Sequence, residues 1–299
     1  MRCKHCGGRG IPRRYRRGTC QYRCAECHGY FTVTKEEVAI GNNTTTQKVL
    51  CLDIETLPLE VYTFGIFDQR ISPEQVKKDW SVSCWSAKWL FDSKYMGEVV
   101  EPREAIVRQD RRIMKGIWKL LDEADIVITQ NGNGFDLKRL NTRFLLAGLK
   151  PPMYYQSIDT LAVLRKNFDF TSNALDFVDN LLGIDHKIET TFEWWKQCAE
   201  GNHEYLKKTF EYCKHDVGTT EELYLKLRPW IRSHPNIGLF VETDDPVCRN
   251  CGSIRLDWKG QYATPLNLYD AFRCSSCGAL GRGRVSMLEK DKQRSLTAG

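Results

Sequence analysis

The chain has 299 residues, of which 41% are hydrophobic and 27% charged, with a formal net charge of +6. This is ordinary globular composition, long enough for about two domains with sizeable cores. No apolar run approaches the roughly 18 residues of a membrane span, and the opening Met1-Arg2-Cys3-Lys4-His5-Cys6 lacks the apolar stretch of a secretory signal. The expectation is a cytoplasmic protein without disulfides or membrane contact, whose 13 cysteines need another use.

In chain order, the first use is Cys3-x2-Cys6 followed by Cys24-x2-Cys27. Each Cys-x2-Cys sets two thiolates on one side of a tight turn, and two such turns complete a tetrahedral shell for a structural zinc ion. Redox-active dithiols are the alternative, and one that two pairs of pairs disfavour. Cys20 is a spare thiol that could replace Cys24, and His5 and His28 flank the cluster. Between the pairs, Arg13, Arg14, Arg16 and Arg17 surround Tyr15, a mixture suited to phosphate contact and base stacking. The same ribbon could instead be a docking knob. A polar stretch through Gly41–Thr46 reads as a linker.

The next segment, Lys48 to Thr56, is an apolar strand carrying Asp53 and Glu55 on one face. Two adjacent carboxylates repel unless a cation lies between them. An edge strand with one exposed face is the plain alternative. Ile106 to Leu121 has helical periodicity, and Asp125–Thr129 is a short strand ending in Gln130-Asn131-Gly132-Asn133-Gly134-Phe135-Asp136. Asp136 opens a helix through Leu149, where an ordinary N-cap is a respectable role for it. Asp159 reads as the cap of a helix from Leu161, and Ser172-Asn173 as the cap of the helix carrying Leu175, Val178, Leu181 and Leu182. Asn202 to Arg228 is one long helical pattern in which Tyr212 and Asp216, at i and i+4, share a face. On its own that pair could be a half-buried tyrosine beside a surface acid. Cys51, Cys84, Cys198 and Cys213 have no paired spacing and read as small buried hydrophobes.

After a second linker, Cys248-x2-Cys251 and Cys274-x2-Cys277 repeat the zinc pattern, with Lys259, Arg273 and Arg282 among aromatics such as Trp258, Tyr262 and Tyr269. The predicted divisions are a ribbon over 1–40, a linker over 41–48, a central domain over 49–233, a linker over 234–247, a second ribbon over 248–285 and a flexible tail over 286–299. Charge follows these divisions. Residues 1–30 carry +7, residues 31–247 carry −6 and residues 248–299 carry +5. Basic ends around an acidic centre suit a polyanionic partner, although charged ends can also be merely solubilising.

Taken as an ordered set, Asp53 and Glu55 in Leu-Asp-Ile-Glu-Thr, Asp136 in Asn131-x3-Phe-Asp, and Asp216 in Tyr-x3-Asp resemble the DEDD superfamily of 3′–5′ exonucleases. Tyr212 places the resemblance with the DEDDy branch, since the histidine of the other branch would fall at Glu211. With its terminal ribbons, the chain also resembles uncharacterised phage-encoded members, which would work in the host cytoplasm. The resemblance covers about 49–233. It implies an α/β, ribonuclease H-like mixed five-stranded sheet flanked by helices, plus the two small zinc ribbons.

It also implies two Mg²⁺ or Mn²⁺ ions held by the four acids, beside two structural Zn²⁺. Asp53 would bridge both ions. Glu55 and Asp216 would complete one site, Asp136 would hold the other ion, and Tyr212 would orient the attacking water. The implied substrate is a single-stranded or frayed 3′ end, DNA favoured and RNA open, contacted by Asn131 and the ribbon arginines. A proofreading role would add a DNA polymerase or other replication protein as partner. The competing reading is a non-catalytic nucleic-acid-binding or replisome-docking protein on a nuclease-like core, which the presence of all four acids and the tyrosine counts against.

Overall fold

The computed structural model describes residues 6, 10–16, 19–24, 27–34, 47–184 and 188–297, and for 10–16, 19–24 and 31–34 the backbone alone. The chain forms two compact units, one of residues 47–235 and one of residues 1–46 with 236–299. At the N-terminus, β1 (Gly10–Arg16), β2 (Thr19–Cys24) and β3 (Tyr30–Thr34) form an antiparallel sheet in that order. Arg13, Arg14 and Arg16 lie on β1, and Arg17 falls outside the described residues.

The central unit begins with β4 (Val49–Leu57), a small hairpin of β5 (Glu60–Val61) and β6 (Val76–Lys78), then β7 (Ser81–Trp89) and β8 (Met96–Val99). There follow α1 (Pro102–Val107), α2 (Arg111–Glu123), β9 (Ile126–Thr129), α3 (Asp136–Leu146), β10 (Gln156–Asp159), α4 (Thr160–Asn167), α5 (Leu175–Leu182), α6 (Phe192–Ala199) and α7 (His203–Leu227). The five long strands make one mixed sheet in the order β10-β9-β4-β7-β8. β7 runs antiparallel to both β4 and β8, whereas β9 runs parallel to β4 and β10.

β4 is the middle strand; one face is apolar, and the other carries Val49 and Cys51 before Asp53 and Glu55. Leu50, Leu52 and Ile54 pack with Ile113, Met114 and Ile117 of α2 and with Leu137, Leu140 and Phe144 of α3. The alternate residues face α7, where the Cys213 thiol donates to the Asp53 carbonyl at 3.4 Å and the Cys84 thiol to the Thr209 carbonyl at 3.7 Å. Cys51, Cys84, Cys198 and Cys213 are all buried. With 25 residues, α7 is about 37 Å long and lies against β4, β7, β8 and β9. A buried ion pair between Lys88 on β7 and Glu221 on α7 pins it, and Glu221 also accepts from Phe91 N at 2.8 Å. Burial opposes the charge on Lys88, yet the adjacent Glu221 carboxylate raises its pKa.

Local boundaries differ from the sequence reading at three places. The single helix expected over 106–121 is two helices, because Arg108 turns left-handed at φ 58° and its guanidinium donates to the Ala105 and Ala199 carbonyls. Such a cap satisfies carbonyls that the helix end leaves open. α3 stops at Leu146 and not Leu149, with Gly148 at φ 74° just beyond. The N-cap of α5 is Ala174, with no side-chain cap, and Ser172 Oγ accepts from its N–H at 3.2 Å.

In the second unit, β11 (Leu256–Thr264), β12 (Asn267–Cys274) and β13 (Leu280–Arg282) form an antiparallel meander, followed by α8 (Lys290–Arg294). Its buried cluster consists of Cys248, Cys274 and Ala279 with Cys251, Leu256 and Cys277 around them. Four of those six residues are the predicted zinc ligands. Beyond 285, Met287 N donates to the Leu268 carbonyl at 2.7 Å and Gln293 Nε2 to Asn267 Oδ1 at 2.8 Å. No helix among the described residues is long and apolar enough to cross a membrane.

Removing one partner of a buried ion pair leaves an uncompensated charge. Lys88→Ala is therefore expected to lower stability by about 3–5 kcal/mol in chemical denaturation. Lys88→Met combined with Glu221→Leu should recover most of that loss, and an unaltered midpoint in the single variant would show that the pair does not anchor α7.

Candidate active site

Four acids from three elements meet at the carboxyl end of β4. Strand alternation points Asp53 and Glu55 to the α7 side. Next to Glu55 the ladder slips: Glu55 pairs with Cys84 but Thr56 with Val82, leaving Ser83 as a bulge in β7. On the other side, β4 pairs with β9 only as far as Cys51 opposite Ile128. Beyond that point a side chain takes the place of the missing strand. Asp136, the first residue of α3, accepts the Ile54 N–H through Oδ1 at 3.1 Å. Phe135 holds the N-cap position, so Asp136 is not the ordinary cap that its local sequence allowed.

The loop delivering Asp136 is itself held by a carboxylate. Asp159 accepts from Asn131 N at 2.9 Å and Asn133 N at 3.2 Å, while capping α4 through Leu161 N and Ala162 N. The cap was legible in the sequence, but the clamp on the loop was not. Asn131 is left-handed at φ 59°, and a Cβ on Gly132 would fall 2.1 Å from Thr129 Oγ1, so glycine is required there.

α7 contributes Asp216 and, one turn earlier, Tyr212, both buried. One carboxylate oxygen each from Asp53, Glu55 and Asp216 lie within 4.8 Å of one another. Burial first, then Asp136, Glu55 and Asp216, push the Asp53 pKa well up. Asp136 is pushed up to about 7, chiefly by burial. Tyr212 is raised by burial and then by Asp216, Glu55 and Asp53, and its hydroxyl hydrogen bonds to Asp216. The phenol therefore keeps its proton and acts as a donor. Its ring meets Trp195 edge-on at 6.3 Å.

The donor set fits a cation. Asp53 Oδ2 is buried with no hydrogen-bond partner among the described residues, and a buried lone carboxylate oxygen is costly unless something positive meets it. All the donors are hard oxygens, the preference of Mg²⁺ or Mn²⁺. One neighbour escaped the sequence reading. Asp179 on α5 is buried and pushed up to about 7, by burial and then by Asp216. Nothing marks it in an otherwise amphipathic helix. His215, next to Asp216 on α7, has Nδ1 3.8 Å from Asp216 Oδ1.

A second cluster lies in the C-terminal meander. Cys248 Sγ is 3.7 Å from Cys277 Sγ, and Cys251 Sγ is 3.6 Å from Cys274 Sγ. A tetrahedron with Zn–S bonds of about 2.3 Å has edges of about 3.8 Å, so the four sulfurs are spaced to hold zinc. Both turns are knuckles closed by glycine: Gly252 N donates to the Cys248 carbonyl at 2.7 Å and Gly278 N to the Cys274 carbonyl at 2.8 Å, with φ of 71° and 78°. Cys6 and Cys27 are exposed, while Cys3 and the Cys24 side chain lie outside the described residues, so the N-terminal shell does too.

Three of the expected nucleic-acid contacts, Lys259, Arg273 and Arg282, lie on β11, β12 and β13. Arg282 stacks on Tyr269 at 3.9 Å and lies 5.4 Å from Tyr262. Lys259 pairs with Asp257 at 2.9 Å, and Arg273 reaches the Gly278 carbonyl at 3.4 Å.

An Asp136 value near 7 lies above the ordinary aspartate value of about 3.9. The folded chain then holds a proton that the unfolded chain has lost, so stability falls as pH rises through that window. Without added divalent ions, thermal melting should be lower at pH 8 than at pH 5. Mg²⁺ or Mn²⁺ should reverse this, and Asp136→Asn should flatten the profile. For the sulfur cluster, elemental analysis of Cys274→Ser should show one equivalent of zinc fewer than the unsubstituted protein, and amide exchange across 248–282 should accelerate. Retention of full zinc would remove Cys274 from the shell.

No curated protein matches the chain. The family model of the RNase_H superfamily matches residues 50–228, from β4 to the end of α7, which is more than half of the chain and includes all four acids. The match supports nucleic-acid hydrolysis in general terms, on the fold and acidic cluster just described: the chain belongs to the RNase_H superfamily.

Proposed function

We propose that the protein is a metal-dependent 3′–5′ exonuclease of the DEDDy type, acting on single-stranded or frayed 3′ ends, with DNA as the favoured substrate. The observation that carries this reading is the convergence of Asp53, Glu55 and Asp216 within 4.8 Å, with the Tyr212 hydroxyl on Asp216. The 3′–5′ polarity comes from the resemblance of the ordered motifs.

Divalent ions held by Asp53, Glu55 and Asp216, with Asp136 beside them, would neutralise charge on the phosphoryl group and ease deprotonation of water. The chain's own residues do the positioning. Asp53 and Glu55 are fixed by the ladder of β4, and Asp136 by its bond to Ile54 N. Tyr212, protonated and buried, orients a water by hydrogen bonding and is no base at neutral pH. Proofreading would place the protein with a separate polymerase.

Labelled single-stranded and duplex DNA and RNA, incubated with Mg²⁺ or Mn²⁺ and labelled at each end in turn, test the reading. Asp53→Asn and Asp216→Asn should abolish hydrolysis while zinc content and folding persist. Tyr212→Phe should lower kcat roughly 10–100-fold through a misplaced water. Undiminished hydrolysis in either Asn variant would overturn the assignment.

A further inference from the structure

The hairpin of β5 and β6 inverts the usual pattern of a surface loop. Its polar groups are spent on one another. Tyr62 N donates to the Gln75 carbonyl at 2.9 Å, and Gln75 Nε2 donates back to the Tyr62 carbonyl at 3.0 Å. Thr63 Oγ1 bonds the Gly65 carbonyl at 2.8 Å, and Gln69 Nε2 the Phe67 carbonyl at 2.7 Å. Lys77 and Lys78 both pair with Glu60 across the stem. The apolar side chains of this ordered tip point outward. Phe64 is fully exposed, and Ile66 and Phe67 are 89% and 83% exposed. Soluble proteins seldom display such a group of apolar side chains without a partner for it.

The place of the hairpin identifies the partner. It is inserted between the carboxyl end of β4 and the start of β7, where Leu57 pairs with Ser81. That is the sheet end bearing Asp53 and Glu55. Phe64 is nine residues beyond Glu55, so it lies within about 30 Å of that acid, the length of roughly nine stacked nucleotides. Both phenylalanine rings are exposed, as base stacking requires, and Lys77 Nζ lies 5.7 Å from the Tyr62 ring centroid. Aromatic faces beside a cation are the elements of sequence-tolerant single-strand binding.

We propose that Phe64 and Phe67, with Ile66 between them, form a stacking platform for unpaired bases of the nucleic-acid strand entering the acidic site. The substrate class rests on the nuclease reading, but the test needs no hydrolysis, so the two fail separately. The full chain carrying Asp53→Asn is titrated, without added Mg²⁺ or Mn²⁺, with a fluorescein-labelled oligothymidylate of about ten nucleotides and with an abasic oligonucleotide of equal length and charge. Adding Phe64→Ala and Phe67→Ala should weaken oligothymidylate binding about 10–100-fold, leave abasic binding unaltered and leave the melting temperature in place. Phe64→Leu with Phe67→Leu, which keeps apolar contact but removes the rings, should stay weak. Equal weakening of both oligonucleotides, or full affinity in the leucine variant, would overturn the platform. No change with either oligonucleotide would also overturn it and assign the tip to a protein partner.

Discussion

Mutual repulsion of carboxylates at the end of a buried strand is the constraint around which the central unit is organised. Asp53 sits beside Asp136, Glu55 and Asp216, and all three raise its pKa. Left alone, the arrangement is relieved only by protonation or by a cation. A fold that retains it must hold the acids together with packing that does not depend on them. The apolar face of β4 does this. Leu50, Leu52 and Ile54 lie in one core with residues of α2 and α3. Alternation along the strand thus sets Leu50, Leu52 and Ile54 on one face and Asp53 with Glu55 on the other.

The sheet's irregularities serve the same end. Pairing with β9 stops at Cys51, which frees the Ile54 N–H for Asp136, and the bulge at Ser83 falls beside Glu55. A regular ladder would leave no opening for α3 to deliver its acid. Asp136 must then arrive at a fixed angle, and the Asp159 clamp on Asn131 and Asn133 supplies that without using any acid of the cluster. The two buried aspartates thus differ: Asp159 accepts from four backbone N–H groups, whereas Asp136 accepts from Ile54 N and has its pKa pushed up, chiefly by burial.

Much of this was legible in the sequence, wherever one local rule governed. Alternation placed Asp53 with Glu55, the i, i+4 spacing placed Tyr212 with Asp216, and apolar runs located β4 and β9. The second Cys-x2-Cys set gave the four-sulfur cluster. What escaped depends on contacts between distant residues. Asp110 falls inside the helix expected over 106–121, yet it precedes α2 and its carboxylate is held by Arg143 and by Val82 N. Asp136 looks like a cap until Ile54, 82 residues away, claims it. Asp179 sits in an amphipathic helix, and only the fold brings Asp216 close enough to be felt. Phe64 and Phe67 belong to no motif, and only the tertiary structure shows them uncovered.

The two clusters of metal-binding residues differ in what surrounds them, and that difference separates structure from chemistry. In the meander, the cysteines are themselves most of the buried cluster. A segment of that size buries too little apolar surface to hold its fold unaided, so closing the sulfur shell and folding are one event. The carboxylates lie instead beside a core built from α2, α3 and five strands. That core has its own anchor in the pair of Lys88 with Glu221, which uses none of the four acids. A site with this independence can exchange ions and admit a substrate without loss of the fold. Soft, closed sulfur ligation suits a permanent ion, whereas hard, partly accessible oxygen ligation suits one that shares its coordination with a phosphodiester.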